Sequence, residues 1–470
     1  RDFCLSRGLG DVYKRQRLEC ILAPTKDDVL DLVWQLREEN VSQEMIDWEV
    51  HTQFGLSFYN SSRLDLTRIA QLDDHVFDAL MQYVSGFSES VRDIWDAFDF
   101  AVKMRTLDAA GRLWPVVKHF ASIDMSEEAL PDHQMGDLFE NIMYRSFNTK
   151  GKAAGAFYTP RDAIRLMVDV LFASDDMGLT SDGASRTVYD PTAGTGGMLL
   201  IARQALQELN PDIEVVLTGQ ELMPMGYAIG KADLLIQGGE PDAIRHGDTL
   251  LTDLYDGEHF EYILSNPPFG TDWSVQQQAV QAEAKIPGSR FSHGLPGKSD
   301  GQMLFLAHVA SKLTPAGPNG SGGRGAVVSN GSPLFTGGPG SGPDQIRAWL
   351  LESDLVDAII QLPTNMFYGT GISTYVWILD TNKEDHRKGY VQLIDASECW
   401  SVPEKGLGDK RREMREHDRA KVLEAYAAFE DSHMSKVLTP SDLGFRDVQV
   451  IKQARLRVEV TEEALSLIHI

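Results

Sequence analysis

A doubly wound, mostly parallel α/β sheet with an antiparallel hairpin at one edge, preceded by a helical N-terminal domain and followed by a helical tail, is the fold class that the sequence predicts. Three observations carry it. Apolar residues recur at helical spacing before residue 147, short β-rich runs alternate with helical stretches from 148 to about 380, and opposite charges interleave at helical spacing after that. A chain of 470 residues is too long for one ordinary core, so two or three domains are expected.

The first residue is Arg rather than Met, and RDFCLSRGLGDVYKRQ and the final SLIHI fail to continue the patterns beside them. Residues 1–17 and 466–470 are therefore read as a non-native leader and tail and set aside. Between Leu18 and Phe147 the runs DDVLDLVWQLREEN, HVFDALMQYVSGF and SVRDIWDAFDFAVKM carry helical periodicity and predict the helical domain, 18–147. MGDLFENIMYRSF continues it, NTKGKAAGAFYTP interrupts it with Gly, Ala and Pro, and a new helix follows in RDAIRLMVDVLFAS, which puts a boundary near Asn148.

Candidate strands of the second domain, 148–382, are 187–190, 214–219, 260–265, 325–330, 355–362 and 373–380. Only PTNMFYGTGI separates the last two. That is too short for a helical crossover, so they are expected to pair antiparallel at a sheet edge. PAGPNGSGGRG and TGGPGSGPD flank the fifth strand and read as flexible surface loops. From 383 to 465 the charged run GLGDKRREMREHDRAKVLEAYAAFED predicts a helical segment that is solvated or faces a partner.

The charge restricts function. Lys and Arg number 44 against 69 Asp and Glu, a net −25 that repels phosphate backbones on average, so if the protein acts on DNA another component grips it. Three scattered cysteines lack both a disulfide framework and metal-ligand spacing, and no metal site is read from the histidines. They fit a reducing cytoplasm. No apolar run is long enough to span a bilayer, so no membrane partner is expected.

Chemistry concentrates where strands end. The run 187–190 closes on Asp190, followed by Pro191, Thr192, Ala193, Gly194, Thr195, Gly196 and Gly197 and then a helix. Glycines there let the backbone approach a ligand, and the helix N-terminus offers free N–H groups, although a tight structural turn needs the same residues. The lysine of a P-loop is missing and the dinucleotide spacing is absent, which leaves a non-phosphorylated nucleoside. Glu221 closes the next strand, where doubly wound sheets hold ribose hydroxyls. Asp248 in HGDTL is placed either to accept from an adenine amino group or to cap a turn.

Asn266, Pro267, Pro268 and Phe269 follow a buried strand directly. Alone they read as a capped Pro-Pro turn with a core Phe. Next to the glycine turn they read as a catalytic group. An amino nitrogen conjugated to a ring is a poor nucleophile, and the Asn266 side-chain oxygen and the Pro267 carbonyl can take its two hydrogens while Phe269 stacks on the flipped base. Upstream, Phe157, Tyr158 and Thr159 precede Pro160 and a helix: Thr159 is either a plain N-cap or part of a backbone that holds a cofactor carboxylate, with Phe157 against the cofactor's methionine part.

Taken together, GAFYTP, DPTAGTGG, GQE, GDTL and NPPF resemble the amino-methyltransferases of DNA. More narrowly, MGDLFENIMYRSF, SNGSPLFTGG and NMFYGTGISTYVWIL resemble the modification subunit of type I restriction-modification systems, over roughly Leu18 to Leu465. The resemblance implies a methyltransferase (Rossmann-like) sheet with its edge hairpin, S-adenosylmethionine as cofactor and adenine N6 in double-stranded DNA as target. It also implies a specificity subunit, a second modification subunit and a restriction subunit as partners, which answers the acidic charge. Carried onto this sequence, Phe157, Asp190, Gly194, Gly196, Glu221 and Asp248 line the cofactor site, and Asn266, Pro267 and Phe269 hold the adenine. Two rivals remain: another acceptor, cytosine N4 or a protein glutamine, and an idle cofactor-binding scaffold. More helix usually precedes the segment that begins near Leu18 in that family, which bears on assembly more than on cofactor binding.

Overall fold

The structure, a computed structural model, describes residues 17–72, 74–124, 126, 128–129, 159–173, 179–181, 183–317, 322–404 and 409–444. Helices α1 (Lys26–Glu38), α2 (Gln43–Phe54), α3 (Leu66–Ala70), α4 (Val76–Ser85), α5 (Glu89–Ala97), α6 (Phe100–Ala109) and α7 (Leu113–Ala121) make up the N-terminal part. The run 90–104, which carries helical periodicity throughout, is divided between two helices. Asp99 takes a left-handed backbone (φ 51°), which Asp tolerates better than most residues, and the bend buries both Phe98 and Phe100.

Nine strands then form one sheet in the order β3-β2-β1-β4-β5-β7-β6-β8-β9. They are β1 (Ser185–Asp190), β2 (Glu214–Glu221), β3 (Ile244–His246), β4 (Tyr262–Ser265), β5 (Arg324–Ser329), β6 (Val356–Gln361), β7 (Tyr375–Asp380), β8 (Val391–Asp395) and β9 (Ser435–Leu438). β1 to β5 pair in parallel, whereas β7 runs antiparallel to both β5 and β6. Helices α8 (Arg161–Phe172), α9 (Gly197–Leu209), α10 (Pro224–Ile236), α11 (Gln277–Glu283), α12 (Gln302–Lys312), α13 (Ser332–Phe335), α14 (Gly342–Glu352) and α15 (Glu416–Ala428) accompany the strands. β4 and β5 are buried at every position, as strands covered on both faces must be. Alternation sends Leu264 and Ala326 to one core with Ile164 of α8 and Leu199 of α9, and Ile263 and Val327 to the other with Val309 of α12 and Ile346 of α14.

The expected antiparallel pair, β6 with β7, is present, and the sheet continues past it. β8 pairs parallel with β6 and β9 antiparallel with β8, so the boundary expected at 382/383 falls inside the sheet. The helix expected in that region is α15, and it is not wholly solvated: Val422 and Tyr426, one turn apart, are buried in the sheet's core. The glycine-rich stretch 336–344 is likewise more than a linker, because a Cβ on Gly342 would overlap the Leu295 carbonyl. Ala228, Ile229, Ala232 and Leu235 of α10 share a core with the N-terminal helices, and Asp93 of α5 meets the buried Lys231 ammonium at 2.9 Å and the Tyr227 hydroxyl.

Candidate active site

The carboxyl ends of β1, β2 and β4 surround a cleft of about 260 Å³, just below the range that most small-molecule sites occupy, about 300–1,000 Å³. Its floor is the turn after β1. Gly194 and Gly196 both take positive φ, 54° and 75°, so the run from Asp190 to Gly197 reverses sharply into the first turn of α9. Side chains tie the turn down. Asp190 Oδ1 accepts from the Thr192 amide at 2.9 Å, the Thr192 and Ser265 hydroxyls meet at 2.9 Å, and the Thr249 hydroxyl donates to the Pro191 carbonyl at 2.6 Å. Glu221 closes it from β2: Oε2 accepts from the Gly194 amide at 2.8 Å and Oε1 from the Met223 amide at 2.7 Å.

Gly194, Thr195 and Gly197 line the cleft with Asp190, Pro191 and Thr192, whereas Gly196 does not. Its work is conformational. A Cβ there would make an ordinary contact with Gly230 Cα at 3.4 Å but would sit on a left-handed backbone, while one on Gly197 meets nothing nearer than Ile164 Cδ1 at 4.0 Å. Gly196→Ala is therefore expected to cost about 1–2 kcal/mol of stability, and Gly197→Ala to cost none, measured by thermal unfolding of the ligand-free protein.

Electrostatics set two carboxyls apart from ordinary ones. Burial, reinforced by the nearby Glu221 charge and opposed by the Thr192 hydrogen bonds, pushes the Asp190 carboxyl up to about 7. Burial also raises Glu221, against the pull of the Met223 and Gly194 amides. A carboxyl raised in the folded state holds a proton that the unfolded chain has lost, so stability is expected to fall as pH rises from about 4 towards 7. Denaturant titrations across that window read the slope, and Asp190→Asn should flatten it.

β4 delivers Asn266 to the cleft. Its Nδ2 donates to the Thr159 hydroxyl at 2.8 Å, and its Oδ1 is buried with no hydrogen-bond partner among the described residues. A buried carbonyl left unpaired in a native fold calls for an explanation, and an awaited donor is one. Pro268 lines the cleft beside it, while Pro267 is buried and Phe269, half-buried, packs on the sheet's core with its ring 6.2 Å from that of Phe367. Thr159 does not cap α8. Pro160 takes the N-cap position without a side-chain bond, one residue later than expected, and this frees the Thr159 hydroxyl for Asn266. Phe157 and Tyr158 lie outside the described residues.

Asp248 takes the turn role, and it also lines the cleft. Oδ1 accepts from the Leu250 amide at 2.9 Å in a local turn, and Oδ2 accepts from the Gln276 side-chain amide at 2.7 Å, in a cleft that Glu221 also lines. Gln276 was not legible in the sequence, since nothing local marks a residue 28 positions downstream as its partner. A larger cleft, about 1,160 Å³, lies over the outer strands with Ile359, Trp377 and Leu393 on its floor. The turn, the paired carboxyls and the orphaned amide oxygen all belong to the smaller one.

Comparison with known proteins follows the same residues. The family profile described as N-6 DNA Methylase matches residues 131–460, which takes in the turn, Glu221, Asp248 and Asn266. The chain belongs to the N-6 DNA methylase family. A second profile, the HsdM N-terminal domain, matches 15–120, and the two together bear out the resemblance read from the motifs. Among curated relatives of this family, the chain is 26% identical to the type I restriction enzyme MjaIX methylase subunit of Methanocaldococcus jannaschii, over 72% of this chain and 56% of that protein. It is 25% identical to the HindI methylase subunit of Haemophilus influenzae, over 63% and 61%. The chain thus spans little more than half the length of these relatives. Among solved structures, the type I restriction-modification methyltransferase subunit of Streptococcus thermophilus shares the fold at a TM-score of 0.68 and 23% identity, with 94% of this chain and 96% of that one covered. No described helix is long and apolar enough to cross a membrane.

Proposed function

We propose that this N-6 DNA methylase chain is the modification subunit of a type I restriction-modification complex and transfers a methyl group from S-adenosylmethionine to the N6 amino group of adenine in DNA. One observation carries the reading: a buried, unpartnered amide oxygen on Asn266 beside a nucleoside-sized cleft. The cleft's donors and acceptors suit the cofactor. Asp248 would accept from its adenine amino group, Glu221 would take its ribose hydroxyls, and the backbone at Gly194, Thr195 and Gly197 would hold it. S-adenosylmethionine supplies an electrophilic methyl group on sulfur.

The chain's own residues prepare the nucleophile. Asn266 Oδ1 and the Pro267 carbonyl accept the two hydrogens of the target amino group, which draws its nitrogen out of conjugation and aims its lone pair along the cleft. Phe269 stacks on the base, which has to leave the duplex to reach so enclosed a position. With a net charge of −25, the grip on DNA falls to a specificity subunit, which two modification subunits flank and a restriction subunit joins. Incubating the assembled complex with labelled S-adenosylmethionine and unmodified bacterial DNA, then analysing nucleosides by mass spectrometry, tests the reaction. N6-methyladenine is expected. N4-methylcytosine, or label in protein alone, would assign the site to another acceptor.

A further inference from the structure

Residues 248–250 bring Asp248 and Thr249 to the cleft, in a turn that belongs to neither strand nor helix. Thr249 and Leu250 are buried, and buried carbonyls in a turn need donors from elsewhere. Arg290 supplies both. Its Nη1 donates to the Thr249 carbonyl at 2.5 Å and its Nη2 to the Leu250 carbonyl at 3.3 Å, and among the described residues no other hydrogen bond ends on either oxygen. The direction of these bonds is fixed, since a guanidinium only donates and a carbonyl only accepts.

The remaining donors hold the guanidinium in place. Nε and Nη2 meet the two carboxylate oxygens of Glu283, the last residue of α11, at 2.8 and 3.0 Å, and Nη1 meets Nδ1 of the fully buried His308 at 3.1 Å. Burial, reinforced by the Arg290 and Lys312 charges, holds that imidazole well below the usual histidine range. It is therefore neutral, accepts at Nδ1 and carries its proton on Nε2, towards the Tyr189 hydroxyl at 3.2 Å. The neighbouring Phe291 packs with Leu250, Trp273, Val280 and Leu304, which presses the segment against the turn.

We propose that Arg290 is a positioning residue for the cofactor, locking residues 248–250 in the register that presents Asp248 to the adenine amino group. Arg290 itself does not line the cleft, so it acts through those residues. Two contacts show what the register controls. The Thr249 hydroxyl donates to the Pro191 carbonyl at 2.6 Å and ties the same residues to the glycine turn, while Gln276, from the same segment as Arg290, holds Asp248 Oδ2 at 2.7 Å.

The inference rests on the reading of Asp248 as the acceptor for the cofactor's amino group, and a pair of ligands keeps the two apart. Calorimetric affinities of the assembled complex are compared for S-adenosylhomocysteine and for S-inosylhomocysteine, which carries an oxygen in place of that amino group. The unaltered complex is expected to prefer the adenosyl ligand by about tenfold or more, the effect of one hydrogen bond to a charged acceptor. Arg290→Lys keeps a charge opposite Glu283 but cannot span that carboxylate and two carbonyls. There the preference should shrink by about threefold or more, with most of the loss falling on the adenosyl ligand. A residue that only stabilises the fold would lower the melting temperature and leave the ratio as it was. Glu283→Gln, which loosens the far side of the guanidinium, should shift the ratio the same way by a smaller factor, and it decides the matter if Arg290→Lys does not fold. An unchanged ratio in the deciding variant, or equal weakening of both ligands, would overturn the assignment. No preference in the unaltered complex would instead remove the reading of Asp248.

Discussion

Asn266→Ala is expected to lower kcat for adenine methylation by about 100- to 1,000-fold, the usual effect of deleting one preorganised polar contact to a reacting group. Cofactor affinity should barely change. The Asn266 side chain makes its one described hydrogen bond to Thr159 and offers a buried oxygen to whatever enters, while the contacts that shape the turn, from Glu221, Thr192 and Thr249, do not involve it. Stability should fall little or rise slightly, because the change removes an unsatisfied buried acceptor. Single-turnover kinetics beside calorimetry with S-adenosylhomocysteine separate the two effects. An equal loss of binding and rate would place Asn266 in the cofactor site.

Glu221→Ala should show the opposite pattern. Two backbone amides, Gly194 and Met223, end on its two carboxylate oxygens, and the same group is proposed to take the ribose hydroxyls. Hydrogen bonds to a charged acceptor contribute about 1.5–3 kcal/mol each, so cofactor affinity is expected to weaken by about 10- to 100-fold. With saturating cofactor the rate should recover most of its value. Glu221→Gln is expected to be nearly as harmful, since the two backbone amides end on different carboxylate oxygens and replacing either by NH2 sets a donor against one of them. Gly226 keeps the space beside the carboxylate clear: a Cβ there would lie 3.1 Å from Glu221 Oε1. Equilibrium binding across the three forms checks this, and unchanged affinity in Glu221→Ala would refute the ribose assignment.

The legible parts of this molecule are those where a special residue follows an apolar run directly. Asp190 with its glycines, Glu221 and Asn266 each end a strand whose buried pattern is visible in the chain, and strand ends on one side of a parallel sheet must gather. What could not be read depends on pairing across distance. β8 and β9 sit among charges that look like a solvated surface, yet Arg387 is buried on Asp357 at 2.7 Å and Lys383 on Asp354 at 2.5 Å, so residues polar in sequence are core in structure. β3 is three residues long and carries no periodicity. Thr159 looked like a helix cap because Thr before Pro usually does. Its bond to Asn266 spans 107 residues and leaves no local signature, and the same holds for Gln276 and Asp248 across 28.

Modification-sensitive sequencing of genomic DNA from a methylation-free bacterial host that expresses the chain with its specificity subunit tests the central claim most directly. The account predicts N6-methyladenine at one recurring sequence, absent when Asn266→Ala replaces the unaltered chain. A complex that assembles and binds S-adenosylmethionine yet leaves no adenine mark, or marks that persist in Asn266→Ala, would contradict it.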